Sequence, residues 1–340
     1  MSNPNLKKLL SNALDQVAGE RLLGLLKVPP ALSRCRVGQV TRLELSQAMT
    51  MLLFDKLTSQ VAEARAYLAD VVRNGEQVAF DHGAIRTVRW QHNGALPAGE
   101  AAFTRMLRPL GFVFNKEYPL TRLKMTGRSY YHLDAPDDVA QFFISELHPE
   151  QFSREFQEAT TRVVITSVDP LTPQAQSMLW ELERDGTLAL GDASALLGVL
   201  VSCFVRQHAT PALRDYGILL AESDEMAWIA TEGNTFNHAT DRVADVAELT
   251  QRQHKLGRSI KEKVEVSRTG RVMQTAFRAE MVERQFLAGD GSLVTRTVPG
   301  SFYEFITRHP YFDKDRGIWA TDLSFDAGNA QQIFKMTAAA

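Results

Sequence analysis

The first part of the chain has the apolar spacing of amphipathic helices. Apolar residues recur every three or four positions over Leu6–Leu22, and a longer run with the same period covers Thr41–Arg73. Pro29-Pro30 separates the two runs. Asn74-Gly75 ends the second run, because both residues tolerate the left-handed backbone of a helix C-cap. We therefore predict an N-terminal helical part over residues 1–75.

The middle of the chain alternates between segments typical of strands and of helices. Runs of β-branched and aromatic residues predict strands at Ile85–Trp90, Ser129–Leu133 and Gln141–Ile144. Apolar periodicity predicts helices at Glu100–Leu110, Pro173–Glu183, Ala193–Arg206 and Pro211–Ala221. We interpret residues 150–221 as a helical insertion or subdomain within one metalloenzyme domain that spans residues 1–340.

The last third of the chain has the pattern of β-hairpins. Strand-like segments flank turn signals at Thr269-Gly270-Arg271 and at Asp290-Gly291, and Asp-Gly is a strong short-range hairpin signal. The predicted strands are Lys263–Arg268, Val272–Ala279, Val282–Leu287, Ser292–Val298 and Ser301–Thr307. Together with the helices, they predict an α+β fold in which an antiparallel sheet packs against helices.

Composition and charge narrow the function classes. Among 340 residues, 44% are hydrophobic and 23% are charged, which is ordinary for a globular domain. The formal net charge of −2 gives no basic field for nucleic acid or an anionic membrane. The longest apolar run, near Ala195–Val205, is too short to span a bilayer, and Cys35 and Cys203 are too few for a disulfide framework. We expect a soluble, cytoplasmic protein.

His82 is the first candidate for a chemical role. Gly83 follows it and leaves room beside the imidazole, and Arg86 lies four residues further on. In a strand the two side chains share a face, and in a helical turn they are neighbours, so both cases place a cation and an imidazole in one pocket. Arginine binds carboxylates with its planar fork of donors. The alternative is a structural histidine capped by Asp81, with Arg86 at the surface.

His238 is the second candidate. Asn237 and Thr240 surround it with polar groups that can fix a histidine tautomer. Asp241 and Arg242 follow and are compatible with a local ion pair. The alternative is a polar turn in which His238 satisfies a backbone group.

Glu304 is the candidate acid. It lies inside an aromatic segment, where strand alternation puts it on one face with Phe302 and Ile306, while Tyr303 and Phe305 lie on the other. An unpaired carboxylate on an apolar face is costly to bury, and a metal, a cation or a proton removes that cost. The alternative is an edge strand with Glu304 in water.

Two histidines and one carboxylate from separate strands are the facial triad of non-heme Fe(II) oxygenases. At these segments the sequence resembles the 2-oxoadipate dioxygenase/decarboxylase family, which is related to hydroxymandelate synthase-like enzymes. The resemblance rests on His82–Arg86, on Phe236–His238 with Arg242 nearby, and on Phe302–Phe305, and it covers roughly Leu43–Arg308.

The resemblance implies a vicinal-oxygen-chelate fold with added helices. It implies Fe(II) held by His82, His238 and Glu304, with Arg86 as the residue that binds a substrate carboxylate. Arg242 and Arg308 are further candidates for that contact. The predicted substrate-binding residues are His82, Arg86, His238 and Arg242. The implied reaction is O₂-dependent decarboxylation of 2-oxoadipate with intramolecular hydroxylation, which gives 2-hydroxyglutarate and CO₂.

Two other functions stay open at this point. The same fold with Zn²⁺, Ni²⁺ or Mn²⁺ supports redox-neutral lyase, isomerase or hydrolase chemistry. A non-catalytic protein that binds a 2-oxo acid is the third hypothesis. The resemblance also implies a longer C-terminal portion that helps to enclose the substrate, and we expect its contacts to be absent or replaced here. The partners expected are the 2-oxo acid and O₂, and no sequence pattern predicts the oligomeric state.

Overall fold

The structure is a computed structural model that describes residues 3–314, 317–326 and 328. The helices are α1 (Pro4–Ala13), α2 (Gln16–Leu25), α3 (Arg42–Thr58), α4 (Ala62–Arg73), α5 (Ala101–Leu107), α6 (Arg154–Val164), α7 (Pro173–Asp185), α8 (Leu190–Ser202), α9 (Leu213–Glu222), α10 (Asp224–Glu232) and α11 (Val246–Lys255). The strands are β1 (Gln39–Thr41), β2 (Phe80–Val88), β3 (Phe112–Leu120), β4 (Met125–His132), β5 (Gln141–Leu147), β6 (Thr187–Ala189), β7 (Phe236–Arg242), β8 (Glu265–Val266), β9 (Val272–Ala276), β10 (Met281–Leu287), β11 (Leu293–Pro299), β12 (Phe302–Arg308), β13 (Pro310–Asp313) and β14 (Ile318–Thr321).

One large sheet contains two units of the same topology. Its strand order is β3-β4-β5-β2-β7-β12-β9-β8. In the first unit β2 pairs parallel with β5 and leads outward to β4 and β3, and in the second β7 pairs parallel with β12 and leads outward to β9 and β8. The units join where β2 pairs antiparallel with β7. This repeat has no counterpart that we recognise in the sequence, and it confirms the α+β, vicinal-oxygen-chelate-like fold.

Two strand pairings differ from the predicted antiparallel sheet. The β2–β5 and β7–β12 pairs are parallel. Parallel neighbours need a long crossover connection, which hairpin signals do not reveal. In each unit a helix lies on that connection, α5 in the first and α11 in the second. Both parallel pairs lie next to the central β2–β7 junction. The strands β2, β7 and β12 therefore lie side by side.

The buried helix α3 supports the back of this junction. A capping box between Thr41 and Glu44 begins the helix. The packing partners of α3 include β2 and β7. The Phe54 ring lies 5.0 Å from Phe80 and 6.0 Å from Tyr303, measured between centroids. Tyr303 and Phe305 belong to this core, as strand alternation predicts. Glu304, which lies between them on β12, therefore faces the other side of the sheet.

The N-terminal part is more divided than predicted. The helix expected over Thr41–Arg73 is two helices, α3 and α4. At the break, the hydroxyl of Thr58 donates to the carbonyl of Phe54 at 2.9 Å, and Ser59 donates to Lys56 at 2.8 Å. Such local bonds compete with helix continuation. Residues 1–75 also contain β1, which pairs with β6 inside residues 150–221. The domain boundaries stay predictions.

Most other predicted elements are present. The predicted hairpins correspond to β8–β9 and β10–β11, both antiparallel. The sequence patterns missed the helices α6, α10 and α11 and the strands β1, β3, β6, β13 and β14. In β3 the sequence interrupts its apolar residues with Asn115, Lys116 and Glu117, which suits a solvated edge strand and obscures the strand pattern. Within the described residues, no helix combines the length and the apolar character that crossing a membrane requires.

Gly83 provides a test of the packing at the central junction. Its hydrogen side faces the ring of Phe236, and a Cβ at this position would lie 2.3 Å from Cε2 of that ring. The space predicted beside the imidazole is thus taken by the core. We expect Gly83→Ala to lower the free energy of unfolding by about 1–3 kcal/mol through overpacking.

Urea denaturation followed by circular dichroism measures this effect. Gly198→Ala is the matched control, because Gly198 lies exposed within α8 and a Cβ there meets nothing within 4 Å. Alanine is the better helix former, so the control should be neutral or more stable by up to about 1 kcal/mol. Equal unfolding midpoints for Gly83→Ala and the unchanged protein would contradict this account of Phe236.

Candidate metal centre

The three predicted metal ligands lie on adjacent strands at the junction of the two units. His82 is on β2, His238 on β7 and Glu304 on β12. The registers pair both His82 and Glu304 with Thr240, so these three residues form one row across the sheet. His238 lies two residues before Thr240 and therefore on the same face. All three candidate ligands are buried, so the alternative of an edge-strand Glu304 in water does not hold.

The donor atoms of this group converge on one point. His82 Nε2 and His238 Nε2 are 3.3 Å and 3.4 Å from Glu304 Oε2, and the two nitrogens are 3.4 Å apart. A divalent ion that holds its ligands at about 2.1 Å separates neighbouring octahedral ligands by about 3 Å. The second oxygen, Glu304 Oε1, is buried and has no hydrogen-bond partner among the described residues. The chemistry and spacing of these donors fit a divalent metal ion.

Asp81 fixes the orientation of His82. A register shift makes Asp81 the extra residue of a bulge in β2, next to the site. Its Oδ1 lies 2.8 Å from His82 Nδ1. Burial by itself would raise the pKa of Asp81, but the charges of Arg308 and Arg242 hold it well below its ordinary value. The ionised carboxylate accepts a hydrogen bond from Nδ1–H, so Nε2 keeps its lone pair for a metal.

His238 is kept neutral by its burial. Burial lowers the pKa of His238 to about 3, against the opposing charge of Glu304, so the imidazole is neutral at pH 7. The Asn237 amide nitrogen lies 3.1 Å from His238 Nδ1. With the amide turned over, its oxygen would accept a hydrogen bond from Nδ1–H and leave the lone pair on Nε2, so the tautomer-fixing role of Asn237 stays a prediction. A second register shift makes Asn237 the extra residue of a bulge in β7. Both neighbours therefore line the same cavity, although strict alternation would separate them.

Glu304 is held in its ionised form. Burial by itself would raise its pKa, but His238 and His82, together with a hydrogen bond from Thr240, lower it. The Thr240 hydroxyl donates to Glu304 Oε2 at 2.5 Å and lies 3.1 Å from His82 Nε2. The carboxylate can accept a metal without first losing a proton.

The repeat of the two units gives Glu304 an equivalent position in the first unit, and that position carries no metal-binding group. His82 pairs with Gln141 and His238 with Phe302 in the two parallel pairs. Two residues further along, the second unit places Glu304 and the first places Phe143. One side of the group is therefore open to a cavity. The cavity is lined by His82, Ala84, Phe143, Ser145, Asn237, His238, Gln274, Glu304, Phe325 and Asp326.

The predicted substrate-binding arginines lie at two ends of the site. Arg86 is on the His82 face of β2, fully buried, with its guanidinium 5.0 Å from the Trp228 ring. It is not a lining residue of the cavity, although its cross-strand partner Ser145 is. Burial lowers the pKa of Arg86 to about 10, so it stays charged. Its carboxylate-binding role stays a prediction.

Arg242 and Arg308 both bind Asp81. Arg242 Nε donates to Asp81 Oδ2 at 2.6 Å. Arg308 donates through Nε to Oδ2 at 2.9 Å and through Nη2 to Oδ1 at 2.8 Å. Neither residue lines the cavity in front of the metal-binding group. Their predicted contact with a substrate carboxylate also stays a prediction.

Several residues of the site escaped the sequence analysis. In the sequence analysis Asp81 is considered only as a cap in the structural alternative for His82. In the structure, Asp81 contacts His82 and also accepts hydrogen bonds from two arginines. Gln274 is a polar residue in a strand of mostly apolar neighbours, and this pattern offered a signal. Ser145, Phe143 and Phe325 carried no signal, because only the pairing of strands distant in sequence brings them to the cavity.

Comparisons with known proteins agree with this geometry. A protein from Ralstonia eutropha JMP134, named only by its superfamily, glyoxalase, has a crystal structure with 56% identity and a TM-score of 0.91, and the match covers 96% of this chain and 100% of that one. Hydroxyglutarate synthase from Oryza sativa in complex with 2-oxoadipate has 18% identity and a TM-score of 0.66, covering 92% and 95% of the chains. The enzyme from Pseudomonas putida with the same ligand has 18% identity and a TM-score of 0.55, covering 86% and 72%.

The two hydroxyglutarate synthases share the fold with this chain. No curated protein matches the sequence. The profile of the 2-oxoadipate dioxygenase/decarboxylase family matches residues 43–321, a range that contains all three candidate ligands. This match confirms the resemblance found in the sequence motifs. The chain belongs to the 2-oxoadipate dioxygenase/decarboxylase family.

Proposed function

We propose that the protein is an Fe(II)-dependent dioxygenase that decarboxylates 2-oxoadipate and releases 2-hydroxyglutarate and CO₂. The observation that carries the proposal is the buried group of His82, His238 and Glu304, whose donor atoms lie within 4.8 Å of one another. Family membership and the 2-oxoadipate complexes of the two hydroxyglutarate synthases support the choice of substrate.

In this proposal His82, His238 and Glu304 hold the iron. Two imidazoles and a carboxylate on one side leave the other side open, which suits an ion that must also bind a 2-oxo acid and O₂. The bound iron supplies the redox chemistry with O₂. Asp81 keeps His82 in the required tautomer, and Thr240 orients Glu304. These residues prepare the site before substrate arrives.

The reaction needs no further electron donor. The bond between the carboxylate carbon and the keto carbon breaks, and the former leaves as CO₂. One oxygen atom of O₂ completes the new carboxylate at the former keto carbon, and the other forms the hydroxyl on the adjacent carbon. The substrate supplies all four electrons that reduce O₂, two through the oxidative loss of CO₂ and two through hydroxylation of the adjacent C–H bond. We assign a substrate carboxylate to Arg86, and hydrogen bonds to substrate to Ser145, Asn237 and Gln274, whose side chains line the cavity.

A redox-neutral reaction is the second candidate. It is favoured by the 56% identity to a protein named by the glyoxalase superfamily. A bound Zn²⁺, Ni²⁺ or Mn²⁺ would act there as a Lewis acid on an oxygen of the substrate. The same residues would hold the ion, and O₂ would not be consumed.

Oxygen consumption tests the proposed reaction directly. Protein loaded anaerobically with Fe(II) is mixed with 2-oxoadipate and air-saturated buffer, and O₂ and CO₂ are followed together. We expect loss of O₂ and release of CO₂ in equal amounts, because the balanced reaction uses one of each. Product formation without O₂ loss would replace this proposal with the redox-neutral one. Binding of the acid without any product would leave the non-catalytic hypothesis.

Metal content tests the ligand assignment. We expect His82→Ala and Glu304→Gln each to lose bound iron, because both remove a donor from a site with three protein ligands. His92→Ala is the control, since His92 is exposed and its side chain contacts Gln91 and Trp90 rather than the metal-binding group. Iron per chain is measured by plasma mass spectrometry after desalting. Full iron content in both ligand variants would exclude this group as the metal site.

Arg86 tests the predicted substrate contact. Arg86→Lys keeps the positive charge but loses the planar fork, so we expect unchanged iron content and a KM for 2-oxoadipate raised roughly tenfold to a hundredfold, the range for charged hydrogen bonds of about 1.5–3 kcal/mol. Arg89→Lys is the control, because Arg89 is a half-exposed arginine paired with Glu150. An unchanged KM in Arg86→Lys would assign the carboxylate to another residue.

A further inference from the structure

Residues 322–326 lie across the cavity in front of the metal-binding group, and we call this segment the cover. Phe325 and Asp326 contribute to the cavity lining. The Phe325 ring centroid is 4.7 Å from that of His82, with the rings nearly perpendicular, and 4.9 Å from that of Phe143. The cover therefore occupies the side of the metal-binding group that the protein ligands leave open.

The space beneath the cover is too small for a dicarboxylic acid. The cavity has a volume of about 30 Å³, which is room for about two water molecules. Sites for small organic ligands usually measure about 300–1,000 Å³. Part of the lining has to move before a 2-oxo dicarboxylic acid can enter.

A few specific contacts hold the cover in place. It has no regular secondary structure. Arg308 Nη1 donates to the carbonyl oxygens of Asp322 at 2.6 Å and of Ser324 at 2.8 Å. The backbone N–H of Phe325 donates to the hydroxyl of Tyr118 at 3.0 Å. Opening the cover exchanges these bonds for bonds with water and disrupts the ring contacts, and it leaves the sheet intact.

Arg308 connects the cover to a metal ligand. Its Nε and Nη2 hold Asp81, and Asp81 in turn contacts His82 Nδ1. The guanidinium is fully buried, and its centre is 5.0 Å from the Phe325 ring. Arg308 thus contacts the cover through Nη1 and through the face of its guanidinium. Its other two nitrogens bind Asp81, which supports His82.

We propose that the cover opens to admit the substrate, that Phe325 is the gate which must leave the cavity, and that Arg308 is the latch which ties the closed cover to the Asp81–His82 pair. The identity of the admitted acid rests on the proposed function. The movement itself does not, because Phe325 packs against His82 at the cavity in front of the metal-binding group, whatever ligand enters.

The rate of iron removal by a chelator measures the opening without turnover. Fe(II)-loaded protein is mixed anaerobically with 2,2′-bipyridine, a planar bidentate chelator whose iron complex is coloured. Phe325→Ala removes the ring contacts with His82 and Phe143, so we expect iron to be extracted roughly tenfold faster. Phe312→Ala is the matched control, because Phe312 is a half-exposed ring on β13 that packs on Trp319. It should leave the extraction rate unchanged.

An unchanged rate in Phe325→Ala, or an equal acceleration in both variants, would overturn the gate. A second measurement uses protein without metal. Tyr118→Phe removes the hydroxyl that accepts the Phe325 N–H and keeps the ring, so amide hydrogen exchange should accelerate in residues 322–326 and not in β12. Cover amides that exchange as slowly as β12 in every variant would also overturn the proposal. Failure of O₂ uptake together with both expected results would remove the proposed function and retain the cover.

Discussion

The ion cluster around Asp81 is the interaction on which the site depends. It joins the three strands that carry the candidate ligands: Asp81 precedes His82 on β2, while Arg242 and Arg308 lie on β7 and β12. A buried carboxylate is tolerated only when charges and hydrogen bonds compensate it, and here two guanidiniums do so. Because each strand contributes one member, loss of the cluster would disturb the spacing of the strands as well as the tautomer of His82.

The same charges prepare the site for a cation followed by an anion. Asp81 and Glu304 are matched by Arg242 and Arg308, so the buried centre is close to neutral before any ligand binds. A divalent ion adds positive charge inside a region of low dielectric. A doubly charged 2-oxo acid would cancel it, and under the proposed function we therefore expect metal and substrate to favour each other's binding. Arg86, toward the other end of β2, adds a further buried positive charge.

The sequence predicted which three side chains come together better than it predicted their surroundings, for a physical reason. Each candidate ligand has an arginine four residues later, His82 with Arg86, His238 with Arg242, and Glu304 with Arg308. Spacing treats the three pairs alike. The structure separates them, because β7 and β12 run parallel to each other and β2 runs antiparallel to both. Arg242 and Arg308 therefore meet at Asp81, and Arg86 lies at the opposite end. Alternation within one strand placed Glu304 correctly, whereas pairing between distant strands and the bulges at Asp81 and Asn237 have no local pattern.

The repeat of two units explains why the group has three ligands and an open side. Equivalent strands β5 and β12 offer one position each toward the site, and only β12 fills it with a carboxylate. Phe143 at the other position supplies an apolar wall and no donor. A fourth protein ligand there would leave less room for a substrate to chelate the ion. An apolar wall instead provides a surface on which Phe325 packs when the cover is closed. Phe143 thus leaves this side of the candidate metal site without a donor and also gives Phe325 its packing surface.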